Sequence, residues 1–342
     1  MPKKMLETKA DANSHPIDAV LAWVDGSDPE FLKRMEPFLE KKKRSAIPGA
    51  HPTRFASINE IRYSVLSILT FAPFVRKIFV ITAGQDPKLH ENINKYFPER
   101  VEDVRIVDHS EIFRGFEQFL PTFSSRSIES MMWRINGLAD KFIYFNDDIF
   151  LIRKTSPSDW FVSERPILRG RWLKKPTIRI LWDKIKLAIF KDALQNANYQ
   201  PRPSYHLAQW LAANELGFKN RYFFFSHTPF ALNRSVIEAF FYKNQTLLKK
   251  NIAYRFKFHT QFNFVALVHH IELLAGNNFF ASPDLAYVQP YNRPHNYIDK
   301  KISFCEQNDQ IKFLCVQSLE MCSKEVQQKM FSWLDKTLGL KP

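Results

Sequence analysis

The clearest order in the chain is an alternation of short apolar runs with stretches of helical period. IDAVLAWV (residues 17–24) is apolar apart from Asp18 and reads as a buried strand, and the DGSDP that follows is a turn rich in Asp, Gly and Pro. Residues 31–44 suit a helix whose KKKR end is a solvated basic terminus. Ser57, Ile58, Asn59 and Glu60 have the S-x-x-E form of a capping box, and the apolar-periodic run after them predicts a helix to Phe71, stopped before Pro73. KIFVIT (77–82) and VEDVRIVD (101–108) predict a second and a third strand, residues 125–137 a helix, and FIYFN (142–146) a fourth strand. This alternation implies an α/β fold with a mostly parallel sheet, Rossmann-like or GT-A-like, flanked by helices. Later residues are more helical, with helices expected over 205–216, 235–242, 261–274 and 323–338. The expected division is a flexible leader (1–16), an α/β nucleotide-binding half (17–160), a basic amphipathic insertion (161–200) and a mainly helical portion (201–342) that completes the site.

Composition sharpens this picture only in part. At 342 residues and 45% hydrophobic, the chain can bury a substantial core. Its formal charge of +14 favours an anionic partner without choosing among nucleic acid, lipid and a phosphorylated small molecule. No RRM, zinc-finger or helix-turn-helix signature is present, so nucleic acid is not expected as a partner. Three cysteines, Cys305, Cys315 and Cys322, fit no common zinc spacing and suggest a reducing compartment. The first residues lack an apolar signal-peptide core, and no run approaches ~18 uncharged apolar residues. The expected station is therefore cytoplasmic. P-loop, dinucleotide-fingerprint and nucleophile-elbow motifs are absent from the sequence.

FIYFNDDIF (142–150) raises the chemical question, because a core-like strand ends on two adjacent carboxylates. In parallel α/β sheets ligands bind beyond the carboxyl ends of the strands. Asp25 and Asp28 follow the first strand and Asp147 and Asp148 the fourth, so both sets are expected along one edge. There they could hold Mg²⁺ or Mn²⁺ bridging nucleotide phosphates, or they could simply cap helices and fix turns. Glu129 has apolar neighbours that would bury it in part and perturb its pKa, with Arg126 and Arg134 nearby as phosphate clamps. His227 and Arg234 lie in FFFSHTPFALNRS; His259 follows Arg255 and Lys257 in YRFKFHTQFNF. By spacing alone both histidines read as core residues. The basic, Trp-bearing stretch 165–191 has two readings: an amphipathic surface helix that docks on anionic lipid, which is favoured, or a flap over a phosphorylated substrate.

Taken together, the blocks IDAVLAWVDGSDP, FASINEIRYSVLSILTFAPFVRKIFVITAGQDP, LPTFSSRSIESMMWRINGLADKFIYFNDDIF, FFSHTPFALNRSVIEAF with FKFHTQFNFVALVHH, and KKISFCEQND resemble, in order, the signature blocks of the Stealth proteins. That resemblance implies a hexose-1-phosphate transferase acting on a UDP-sugar donor and a glycan acceptor in capsule or exopolysaccharide synthesis. The donor phosphorus next to the sugar would be attacked, UMP would leave and a phosphodiester would form. It also implies a divalent cation, Mg²⁺ or Mn²⁺, at Asp147 and Asp148. By the same resemblance Glu129, Asp148 and His259 match catalytic positions. Trp23, Asp25, Asp28, Asn59, Arg62, Arg134, His227, Arg234 and Arg293 are the expected donor- and phosphate-binding residues, and Glu60 belongs to the block that holds Asn59 and Arg62. The chain departs from the pattern at Gln261 and Phe262, where many relatives carry acidic or D-Q residues. The station implied is the cytoplasm, with the inner face of the plasma membrane as its peripheral variant. Competing readings are a metal-dependent glycosyltransferase that releases UDP, and a non-catalytic glycan- or membrane-surface module.

Overall fold

The structure, a computed structural model, describes residues 15–39, 47–189 and 202–340. Most of the leader, the KKKR run and the end of the basic insertion lie outside the described residues.

A five-stranded sheet forms the centre, in the order β10 (Phe230–Asn233), β4 (Lys141–Asn146), β1 (Ile17–Ala22), β2 (Val75–Thr82) and β3 (Val104–Asp108). Its first four strands in the chain are parallel, and only β10 runs antiparallel, against β4. This is the mostly parallel α/β sheet expected from the alternation. β1 is central and buried from Ile17 to Leu21, as an apolar run covered on both faces must be. One charge sits inside it. Asp18 is fully buried, and Arg76 donates to it twice, at 2.9 and 2.7 Å, while the amides of Lys77 and Ala139 add two further bonds at 3.2 and 2.7 Å.

A second sheet, β12 (Leu285–Val288), β13 (Phe313–Val316) and β5 (Ile149–Leu151), is joined to the first by the two-residue turn at Asp147 and Asp148. Two smaller sheets complete the strands: β11 (Phe280–Ala281), β8 (Leu168–Lys174) and β9 (Arg221–Phe225) in one, β6 (Phe161–Val162) and β7 (Arg165–Pro166) in the other.

Early helices are α1 (Pro29–Met35), α2 (Glu60–Phe71), α3 (His90–Tyr96), α4 (His109–Ile112) and α5 (Ser125–Glu129). Later ones are α6 (Thr177–Ala188), α7 (Tyr205–Glu215), α8 (Arg234–Lys243), α9 (Gln245–Ile252), α10 (Phe264–Leu274), α11 (Tyr297–Gln307) and α12 (Lys324–Leu338).

Several local expectations are corrected. Ser57 does not cap α2. The N-cap is Asn59, in the left-handed region at φ 74°, and the Glu60 carboxylate turns back to accept from the Ile58 amide at 2.7 Å. The helix expected over 125–137 stops at Glu129 and continues only as a 3₁₀ turn at Met132–Arg134. The basic stretch 165–191 is not one element, because it enters as the strands β7 and β8 before forming α6. The strands β9, β10, β12 and β13, each four or five residues long, had no periodic signal strong enough to separate them from helix.

Candidate active site

A cavity of about 760 Å³ opens at the carboxyl ends of β1, β2 and β4. Ala22 of β1 pairs with Asn146 of β4, so Trp23 and Asp147 leave neighbouring strands side by side. The turn that follows β4 is half-buried at the cavity, because β5 immediately enters the second sheet. Five of the expected site residues line the cavity: Trp23, Glu129, Asp147, Asp148 and His227.

The acidic wall consists of Asp147, Asp148, Glu60 and Glu320. Burial pushes the Asp147 carboxyl well above the ordinary range, and the Asp148 and Glu60 charges add to the effect. Burial, with the Glu60 charge, raises Asp148 to about 7. Asp148 Oδ1 is buried with no hydrogen-bond partner, while Oδ2 has only the Cys315 thiol at 3.8 Å and the Gln317 amide near it. An orphaned carboxylate oxygen beside a second carboxylate fits a hard cation. Among the described residues no cluster of three or more His, Cys, Asp or Glu is arranged around a metal ion. Asp147 and Asp148 would therefore supply two ligands, with phosphate and water the rest, as is usual for Mg²⁺.

A second wall is cationic. Arg54, Arg126, Arg202 and Lys257 line it, with Glu129 as the carboxylate among them. Arg126 is buried and spends its guanidinium on the carbonyls of Phe258, Gln261 and Ser204, at 2.9–3.0 Å. Burial, with the Arg126 charge, lowers Lys257 to about 7; Glu129 opposes that shift. Burial raises Glu129, and Lys257 and Arg126 oppose it in turn. Gly49 holds this wall in place, since a Cβ there would lie 2.2 Å from the Lys257 carbonyl oxygen.

His227 comes to the acidic wall from the loop before β10. It stacks on Tyr205 at 4.2 Å, and its Nδ1 lies 3.5 Å from Gln317 Nε2. Tyr287 donates to Gln317 Oε1 at 2.6 Å, which fixes the amide. Burial lowers His227 to about 4, so the ring is neutral and accepts.

The remaining expected residues lie elsewhere. Asp25 fixes its own turn through the Ser27 amide and hydroxyl, and Asp28 caps α1 and accepts from Gln85 at 2.7 Å. Trp23, which does line the cavity, is held there by a bond to Ser57 at 3.1 Å. Asn59 is exposed ahead of α2, and Arg62 lies over the Tyr63 ring at 5.1 Å. Arg134 donates to the carbonyls of Ile112 and Arg114, at 2.8 and 2.6 Å, so its fork is occupied by backbone. Arg234 is carried to the wrong end of the sheet: β10 runs antiparallel to β4, which leaves His227 at the carboxyl edge and puts Arg234 at the amino edge, bonded to Leu138 O. Arg293 packs on Tyr297 at 5.6 Å. His259 is half-buried, stacked near Phe258, in the turn after Lys257 and outside the cavity lining. Gln261, where the sequence departs from the pattern, is a buried brace: it accepts from Ser124 and the Phe258 amide and donates to Ser127 and to Asn251 O.

Sequence reasoning missed Gln317 and the cavity position of Lys257. Gln317 follows the apolar strand FLCV as Asp147 follows FIYFN, and that parallel was the available signal. Lys257 had none, because its placement depends on Gly49, some 200 residues earlier.

Residues 15–43 match the model for Stealth conserved region 1, and residues 54–167 the model for Stealth conserved region 2. The chain belongs to the Stealth family. This Stealth chain is 30% identical over 80% of its length to an exopolysaccharide phosphotransferase of Streptomyces coelicolor, covering 41% of that protein. It is 34% identical over 47% of its length to a capsular polysaccharide phosphotransferase of Actinobacillus pleuropneumoniae, covering 45% of that one. The chain thus spans less than half the length of either relative. Among solved structures, the galactosyltransferase LgtC with donor and acceptor sugar analogues overlaps 94% of this chain and 95% of its own, at 11% identity and a TM-score of 0.45.

Proposed function

We propose that this Stealth chain transfers a hexose-1-phosphate, with N-acetylhexosamine-1-phosphate as the first candidate, from a UDP-sugar to a glycan hydroxyl in capsule or exopolysaccharide synthesis. The observation that carries the reading is a cavity lined both by carboxylates, among which Asp148 keeps an unpaired buried oxygen, and by a group of cations. Phosphoryl transfer needs charge neutralisation and placement more than a strong base, and such a cavity offers both. Asp147 and Asp148 would hold Mg²⁺ or Mn²⁺, and that ion would supply Lewis-acid neutralisation of the diphosphate.

The chain's own residues account for the other steps. Trp23, held by Ser57, forms part of the floor. Lys257 and Arg126 offset the phosphate charge from the cationic wall. The acceptor oxygen attacks the phosphorus next to the sugar, a P–O bond forms, the P–O bond to UMP breaks, and the hydroxyl proton passes to a protein base. Lys257, with a pKa of about 7, exists in both protonation states at neutral pH and can take that proton; Glu129 beside it adjusts its charge. His259, one turn away, is the second candidate base, also lowered by burial. A peripheral station at the cytoplasmic face of a membrane belongs to the same reading, although no helix among the described residues is long and apolar enough to cross one.

The deciding experiment is the identity of the nucleotide released. With UDP-N-acetylhexosamine, Mg²⁺ and an acceptor glycan, UMP and a ³¹P phosphodiester resonance are expected. Release of UDP with no new phosphodiester would replace this reading with an ordinary glycosyl transfer.

A further inference from the structure

Helix α6 turns its apolar side away from the protein. Ile178, Leu181, Trp182, Ile185 and Ile189 are exposed by 75, 56, 56, 36 and 49%. At helical spacing these positions share one stripe about 100° wide, the width that a globular helix ordinarily buries. Nothing in α6 is fully buried. Its inward contact comes from Ile180, which packs beside Trp210 and Tyr222, and from the half-covered Asp183 and Leu187. On the same spacing Arg179 and Lys186 border one side of the stripe and Lys184 the other. β8 leads directly into the helix and adds exposed Arg171, Trp172, Lys174 and Lys175.

We propose that α6 lies in the interface of an anionic phospholipid surface, with Ile178, Leu181, Trp182, Ile185 and Ile189 inserted among the acyl chains and Arg179, Lys184 and Lys186 on the lipid phosphates. The charge arrangement chooses this occupant. An in-plane amphipathic helix carries its cations at the borders of the apolar face, where headgroups lie. Two copies of α6 packed face to face would instead bring six cations together around the stripe. The helix also has a fixed relation to the cavity: Asp183, on its inward side, is close enough to His259 for their charges to interact. Docking by α6 therefore brings the His259 turn, beside the cationic wall, towards the membrane surface. This deepens the proposed function by naming the surface that serves it, yet it can fail while the transfer chemistry stands.

The test is co-sedimentation of the full chain with vesicles of phosphatidylcholine alone and of phosphatidylcholine mixed with phosphatidylglycerol. Binding to the mixed vesicles only, weakened by salt, is expected. Arg179→Gln with Lys186→Gln should reduce partition about fivefold for each charge removed. Ile178→Glu with Trp182→Glu should abolish it while circular dichroism and UMP release on a water-soluble acceptor stay at wild-type levels. Failure to sediment with mixed vesicles, equal binding to both vesicle types, or a dimer in solution that Ile178→Glu with Trp182→Glu dissolves would overturn the proposal. Loss of UMP release in wild type would count against the transfer reading and leave the vesicle result to stand.

Discussion

The two ends of β1 and β4 treat buried aspartate in opposite ways. At the amino end, Asp18 is fully buried and receives four hydrogen bonds, two of them from one guanidinium. At the carboxyl end, Asp147 and Asp148 lie against each other, without a cation bonded to either, and Asp148 Oδ1 has no partner at all. The first arrangement is complete within the protein. The second holds unfavourable charge that a ligand can relieve. In one sheet, therefore, a satisfied carboxylate serves structure and an unsatisfied one singles out the candidate site.

The sharpest way to break this comparison is to neutralise each end separately. Asp148→Asn should lower UMP release about 10³-fold, the scale of losing several kcal/mol of Lewis-acid stabilisation, and should leave the melting temperature unchanged or higher. An active, unfolded-prone Asp148→Asn would invert the assignment. Asp18→Ala should instead cost about 3 kcal/mol of stability, because it strands two amides and a guanidinium, with activity per folded molecule retained; denaturant titration of both variants reads this directly.

The base can be tested on the cationic wall. Lys257→Ala is expected to lose about 10²-fold in kcat, and more than His259→Ala, since Lys257 lines the cavity and His259 does not. Equal losses would give the proton to the histidine turn.

The pH dependence of stability gives a smaller effect of defined sign. The folded-state pKa of Asp148 is raised from 3.8 to about 7 and that of Asp147 is raised as well, so between these limits the folded chain binds more protons than the unfolded one. Their contribution is fully present below the unfolded pKa and is lost as pH rises towards 7. Melting temperature without divalent cation should therefore fall from pH 5 to pH 7 more steeply in wild type than in Asp148→Asn. Added Mg²⁺ should raise it at the upper end in wild type only. The smallest change is at Gln317→Ala, where about a tenfold loss is expected, because the amide touches His227 and Asp148 through single bonds.

Much of the sheet was legible because the parallel strands are rich in apolar, β-branched and aromatic residues and are followed by turn residues. FIYFNDD announced both β4 and the acidic wall. What could not be read were the charges inside those strands, such as Asp18, and the contacts made between distant segments. Asp25 and Asp28 have the right position in the chain for ligands, but Gln85 and the Ser27 hydroxyl take up their oxygens. Arg234 was assigned without knowing that β10 runs antiparallel, and strand direction alone moves it to the far edge. Lys257 stands between two phenylalanines with no motif that singles it out. The four-residue strands β10, β12 and β13 are too short for period to distinguish them from helix, so they went unread among the helices of the later part.

The turn at Asp147 and Asp148 has one further consequence, for biosynthesis. Both carboxylates emerge from the ribosome well before their neighbours: β5 must wait for β13, residues Phe313–Val316, to cover it, and Gln317 arrives in the same step. A nascent or truncated chain that ends before β13 would expose the acidic turn with no amide to orient it, so the candidate site would be complete only when synthesis of the second sheet is finished.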